Sequence, residues 1–218
     1  MEILHTNAMA LFAGIIAVVA ALTVYSAWKR NKDLEQLAAS LGLVYSPYGP
    51  DSAALERTGL EIFRLGHSRK AAHQLQVQSR AGQVSFFDYS YTIGGKSRST
   101  HAFTLALITC AGCAAPAFDL KPETFLHKIG EAIGFRDIDL PAFPLFSDKY
   151  RLTGPDEAAV HLFFTPQRAA WFENNPGLRV QGAPGYLVLF RREGRLPVDA
   201  WQGFMEEVKA FASEALRQ

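Results

Sequence analysis

The sequence is short of cysteine and has no excess of charge of either sign. Its 218 residues include only 2 cysteines, and 22 lysines and arginines stand against 21 aspartates and glutamates. Two cysteines are too few for a disulfide scaffold. A dedicated nucleic-acid-binding protein carries a strong basic excess, so the near-neutral balance excludes that class. With 49% hydrophobic and 12% aromatic residues, the chain is also too apolar to be disordered.

Charge is absent altogether from one long segment. Residues 8–28 form a run of 21 residues without a charged side chain, and a helix of that length spans about 30 Å, the thickness of a bilayer's hydrocarbon core. The run predicts a transmembrane helix over 8–28 after a short tail over 1–7. The acidic leader and the long apolar stretch favour an anchor over a cleaved signal peptide. Because Lys29, Arg30 and Lys32 follow directly, the positive-inside rule predicts an external N-terminus and a cytoplasmic domain.

The remaining chain has the patterns of one soluble domain. Residues 29–59 are predicted to form a juxtamembrane helix and a loop, and residues 60–218 a single α+β domain. Apolar residues recur at helical spacing over 29–41, so this helix is expected to continue from the preceding one and to pack on the domain.

Strand patterns separated by turn residues predict an antiparallel sheet. A four-strand meander is predicted over 60–66, 73–80, 84–93 and 99–110, and a later hairpin over 178–181 and 186–192. Helices are predicted over 122–133, 155–163, 166–173 and 198–216. The expected fold class is therefore α+β, with a single N-terminal transmembrane helix and an antiparallel sheet covered by helices.

Basic residues occur in two turns of this meander. The first and third turns of an antiparallel meander lie at the same end of the sheet, so these residues are expected to form one basic rim. The predicted basic rim consists of His67, Arg69, Lys70, His73, Lys96, Arg98 and His101. Such a rim suits anionic lipid head groups, a phosphate or an acidic partner. Solvated charge on exposed loops is the simpler interpretation.

Asp88 interrupts an apolar strand pattern. It lies on the strand side that also carries Ser90 and Thr92. One interpretation is an ordinary carboxylate that is bonded to a neighbouring strand or caps a helix. The other is a functional carboxylate in an enzyme or small-ligand sensor that handles an anionic substrate at the basic rim.

Two short motifs resemble known sites but lack the required partners. Gly95-Lys96-Ser97 matches the end of a phosphate-binding loop, but position 90 is serine rather than glycine and a strand pattern follows. Cys110 and Cys113 form a CxxC without a second pair of ligands, and nothing predicts a helix start that would activate a thiol. No cofactor and no metal site are predicted.

Further short motifs are scattered between residues 60 and 190. They are Gly66-His67-x-Arg69-Lys70-Ala71, Phe87-Asp88-Tyr89-x-Tyr91, Thr100-His101, Pro122-Glu123, Ile138-Asp139 and Phe146-Ser147-x-Lys149-Tyr150-x-Leu152-x-Gly154-x-Asp156. Together they resemble an uncharacterised family of bacterial membrane-associated proteins, a domain of unknown function. The resemblance implies no catalytic or binding roles, but it makes Asp88 and the basic rim positions to test.

The sequence thus predicts a membrane-anchored binding module without a known activity. We expect it in the bacterial inner (plasma) membrane, in contact with the lipid bilayer through residues 8–28. Its cytoplasmic domain is expected to bind a protein partner or an anionic membrane surface, and no nucleic acid. The alternative is the enzyme or small-ligand sensor that uses Asp88 at the basic rim.

Overall fold

A large antiparallel sheet forms the centre of the molecule. The computed structural model describes the backbone of residues 2–79, 82–109, 112, 114–123, 136–191 and 193–215, and the side chains of all of these except 2–11, 13, 79, 214 and 215. The strands are β1 (Val44–Tyr48), β2 (His67–Ser79), β3 (Gly82–Ile93), β4 (Ser99–Thr109), β5 (Phe118–Pro122), β6 (Tyr150–Thr153), β7 (Arg179–Ala183) and β8 (Tyr186–Phe190). They form one sheet in the order β1-β2-β3-β4-β8-β7-β5-β6, and every neighbouring pair is antiparallel.

Helices lie on both faces of this sheet. They are α1 (Glu2–Ser40), α2 (Ser52–Arg57), α3 (Pro144–Lys149), α4 (Glu157–Phe163), α5 (Pro166–Asn174) and α6 (Trp201–Ala210), with short 3₁₀ helices over Glu61–Phe63 and Val198–Ala200 and a π-helical turn over Phe211–Ala215. Local signals explain several ends. Thr165 caps the N-terminus of α5 by accepting a hydrogen bond from the Arg168 N–H at 3.4 Å, and Gly42 follows the end of α1 with a φ of +66°.

The alternation of side chains along the strands produces two cores. On the first face, Phe86 belongs to a cluster that includes residues of α1, α3–α6 and the π-helical turn. On the second face, the neighbouring Phe87 belongs to a cluster with Leu55 of α2 and Phe63 of the adjoining 3₁₀ helix. Strand periodicity therefore places consecutive residues of β3 in different cores.

The α+β class and the antiparallel sheet are confirmed, with differences at particular strands. The last three strands of the meander and the β7–β8 hairpin are confirmed, although β2 begins at His67, six residues before its predicted start. The predicted strand over 60–66 is wrong, because these residues include a 3₁₀ helix, and the first strand of the meander is instead β1. β1 contains Pro47, which an edge strand tolerates. Of the predicted helix over 122–133, residues 124–133 lie outside the described residues.

The prediction of a transmembrane helix is corrected. Where side chains are described, no helix is both long and apolar enough to cross a membrane. The predicted transmembrane topology and inner-membrane localisation are therefore not retained, and the side chains of residues 8–11 lie outside the described set.

Candidate functional site

A buried ion pair holds α1 against the sheet. The Arg30 guanidinium on α1 donates two hydrogen bonds to the Asp88 carboxylate on β3, from Nε to Oδ2 at 2.7 Å and from Nη2 to Oδ1 at 3.0 Å. The Asp88 side chain is 0% exposed and that of Arg30 is 17% exposed. Thr104 on β4 donates a third hydrogen bond to Asp88 Oδ1 at 2.8 Å. This bidentate geometry is the strong form of an arginine–carboxylate contact.

Two more groups that can carry positive charge lie near the same carboxylate. Arg195 Nε is 3.9 Å and His73 Nε2 is 4.0 Å from Asp88 Oδ2. We call Arg30, His73, Asp88, Thr104 and Arg195 the Asp88 cluster. Two arginines share one carboxylate, so the cluster carries a formal charge of at least +1.

A strand irregularity brings His73 into the cluster. The register of β2 against β3 shifts between Ala72 and Leu75, and His73 has a φ of +58°, which is uncommon for a residue other than glycine. Its Nδ1 lies 3.0 Å from the Tyr45 hydroxyl, which donates to Asn31 Oδ1 at 2.9 Å. A bulge thus connects the Asp88 cluster to β1 and α1.

Burial dominates the ionisation of these groups. It lowers the pKa of His73 below its usual value; Asp88 opposes this shift, while Arg30 and Arg195 add to it. Burial, followed by the charges of Glu35 and Asp88, raises the pKa of Tyr45 to about 12. His73 is therefore neutral and Tyr45 protonated at pH 7.

The lowered pKa of His73 predicts a loss of stability in acid. An unfolded chain protonates its histidine near pH 6.5, whereas folded His73 takes up its proton only at lower pH. The unfolded state binds more protons in that interval, so this contribution is complete above about pH 6.5 and declines as the pH falls. In urea unfolding at pH 7.5 and 5.0, His73→Asn should lose less free energy on acidification than the wild type. Equal losses of unfolding free energy in the two proteins would contradict a lowered pKa of His73.

The contacts of Asp88 limit what it can do chemically. Its carboxylate is fully buried and accepts hydrogen bonds from Arg30 and Thr104. A general base needs access to a substrate proton. The geometry instead suits the fixing of a helix to a sheet, and no group of three or more metal-binding side chains occurs among the described residues.

The structure brings together four residues of the predicted basic rim. His67, Lys70, Lys96 and Arg98 are exposed at the end of the sheet that carries the β3–β4 turn. His67 Nε2 lies 3.1 Å from the Gly94 carbonyl oxygen. This contact joins the start of β2 to the β3–β4 turn. We keep the name basic rim for these four residues, and their binding to an anion stays a prediction.

The other three predicted members have partners elsewhere. Arg69 is paired with Glu56 at 2.8 Å and donates to a backbone carbonyl at 2.9 Å. His101 Nδ1 lies 2.6 Å from Glu193 Oε1, and His73 is in the Asp88 cluster. For Arg69 and His73, the reason is that β2 begins at His67, six residues before the predicted start, so both residues lie within a strand.

Sequence reasoning missed the partners of Asp88 because they are far away in the chain. Arg30 is 58 residues from Asp88 and Thr104 is 16 residues away. One signal was available, since Arg30, Leu34 and Ala38 are spaced four apart on α1. A cation in line with a buried apolar stripe indicates a charge that faces the domain. Arg195 and Tyr45 carry no comparable signal.

The N-terminal part of α1 leaves the domain. Leu34 and Ala38 are buried, but nine large apolar side chains between residues 12 and 28 are 53–70% exposed: Phe12, Ile15, Ile16, Val18, Val19, Leu22, Val24, Tyr25 and Trp28. Arg30 contacts Asp88, whereas Leu41 near the end of α1 lines a cleft with Val84. Since α1 therefore runs opposite to β3, its exposed segment points towards the end of the sheet with the basic rim.

The CxxC motif of the sequence cannot be placed in the fold. Cys110 and Cys113 both lie outside the described residues.

The comparisons with known proteins support the fold alone. No protein family and no curated protein matches the sequence, so membership of an uncharacterised family is compatible with the findings but stays a prediction. The chain is similar to the crystal structure of the mycobacterial trehalose monomycolate transport factor A, TtfA, with a TM-score of 0.58 and 14% identity over 86% of this chain and 94% of that chain. At that identity, the similarity shows that the two chains share a fold.

Proposed function

We propose that the protein is an interaction module that binds a protein partner through the exposed segment of α1, residues 12–28. The observation that carries this proposal is the set of nine exposed large apolar side chains on one helix. Soluble monomers rarely expose contiguous apolar surface on this scale, and such surface marks an interaction site. An amphipathic or apolar helix in a groove is a common mode of protein recognition.

The charges near this segment specify the chemistry of the partner. Lys29 and Lys32 follow the segment on α1, and Lys70, Lys96 and Arg98 lie at the end of the sheet towards which it points. Complementary charge favours encounter and orientation of a partner. The surface of the partner that would fit this segment is an apolar groove bordered by acidic side chains.

The domain holds the segment in a defined direction. The Arg30–Asp88 pair lies two residues after the segment, and Leu34 is buried one helical turn further. A rigid attachment reduces the entropy that is lost on binding.

Site-specific photo-crosslinking in cells tests the proposal. A photoreactive amino acid replaces Val18 or Leu22 in the full-length protein, and the matched control replaces Leu162, which is 81% exposed on α4. We expect one discrete protein adduct from positions 18 and 22 and none from 162. Reversing two charges of the basic rim with Lys96→Glu and Arg98→Glu should reduce the yield of this protein adduct.

Two results would overturn the proposal. Identical adducts from all three positions would show that crosslinking is not specific to the segment. Adducts with lipid alone would exclude a protein partner and favour the alternative of an anionic membrane surface.

A further inference from the structure

The described residues leave an apolar cleft between α1 and α6. The two helices meet near the Asp88 cluster, where the Arg30 guanidinium lies 6.0 Å from the centroid of the Trp201 ring. Further along, Leu41 and Leu43 after α1 lie across the cleft from Met205 and Val208 of α6, on the same face of the sheet. The helices therefore converge at one end and enclose a wedge at the other.

The cleft is built for an apolar ligand. Its floor is formed by Val77, Val84 and Phe86, and its cavity volume is about 230 Å³. At roughly 30 Å³ per water-sized group, this volume holds about eight carbon-sized groups. Pockets that bind small molecules are mostly apolar, with a few polar groups that orient the ligand. Met205 in the wall adds a side chain that adapts readily to different shapes.

The polar groups of the cleft come from α6. Gln202, Glu206 and Lys209 occupy successive turns of this helix and are exposed. Gln202 Nε2 donates to Glu206 Oε1 at 3.2 Å. The Glu206 carboxylate keeps its negative charge, and Lys209 is the one cationic group among the described residues that line the cleft. Lys209 makes no hydrogen bond or ion pair with the described residues, so its ammonium group is available to a ligand at the mouth.

We propose that this cleft binds the aliphatic chain of an amphiphile with an anionic head, of the class of medium-chain fatty acids. The chain lies on Val84 and Phe86, and the carboxylate lies at Lys209. This site is separate from the α1 segment of the proposed function, and either can fail without the other.

Photoaffinity labelling of the full-length protein tests the site. The probe is decanoate with a diazirine near the end of its chain, and the alcohol of the same length is the uncharged comparison. Ala212→Trp fills the cleft from α6, and Leu43→Trp fills it from the opposite wall. Gly203→Leu is the matched control, because a side chain there meets open space. Circular dichroism shows which variants fold.

We expect the decanoate label on peptides that contain Leu43, Met205 or Val208, and competition by unlabelled decanoate. Labelling should fall at least tenfold in each filling variant that folds and should be unchanged in Gly203→Leu. Lys209→Gln should reduce labelling by decanoate about threefold, as expected for an exposed charge pair, and leave labelling by the alcohol unchanged. Label confined to residues 12–28, or undiminished label in folded filling variants, would overturn the proposal. If neither filling variant folds, equal labelling of wild type and Lys209→Gln by decanoate would overturn it.

Discussion

Replacing Asp88 by asparagine is expected to lower the free energy of unfolding by about 3 kcal/mol, at the lower end of the range for breaking a buried ion pair. The substitution leaves Arg30, whose side chain is 17% exposed, without its carboxylate. It also replaces one carboxylate oxygen by an NH₂ group, which donates hydrogen bonds. The oxygen lost is either Oδ1, which accepts from Arg30 and Thr104, or Oδ2, which accepts from Arg30. The cost arises because a partly buried guanidinium remains unpaired.

Urea unfolding followed by circular dichroism measures this loss. Asp33→Asn is the matched control on α1, because Asp33 pairs with Lys29 at 3.6 Å on the surface and its side chain is 39% exposed. That exposed pair should contribute at most about 0.5 kcal/mol. Similar losses for the two variants would show that Asp88 does not hold the helix.

The second large effect is expected for Leu34→Ala, which should cost about 2–5 kcal/mol. Leu34 is 0% exposed in the core between α1 and the sheet, so its truncation removes apolar contacts and leaves a cavity. Leu22→Ala on the same helix is the matched control. Leu22 is 62% exposed, and its truncation should change the free energy of unfolding by no more than about 0.5 kcal/mol.

The comparison of these two leucines tests the division of α1 into a docked and an exposed part. Both variants are measured by urea unfolding under identical conditions. A loss above 2 kcal/mol for Leu22→Ala would show that the exposed segment packs on the domain, and would remove the basis of the proposed interaction surface.

Strand periodicity and turn residues predicted the central strands because these are long and regular. β3 and β4 pair over eleven residues in an unbroken register, so local patterns and tertiary pairing agree. β5 and β6 have only 5 and 4 residues, and β5 includes Asp119 and Lys121, which form an ion pair at 2.9 Å. Such short, polar strands form because their backbone groups pair with those of neighbouring strands. The local sequence does not show this pairing.

The candidate site was only partly predictable for a related reason. Asp88 was conspicuous because it interrupts an apolar strand, but its partners come from α1 and from the segment after β8. The rim prediction required turns at fixed positions, and the early start of β2 moved Arg69 and His73 into the sheet. Local sequence identified the unusual carboxylate, whereas long-range packing determined what it contacts.

A double-mutant cycle on Arg30 and Asp88 tests most directly whether their contact fixes α1 to the sheet. The free energies of unfolding are measured for the wild type, Arg30→Met, Asp88→Asn and the double variant. The structure predicts a coupling energy of at least about 1.5 kcal/mol, within the range for residues in direct contact, and a coupling below about 0.5 kcal/mol for the exposed pair Lys29 and Asp33. Additive effects of Arg30→Met and Asp88→Asn would contradict the account.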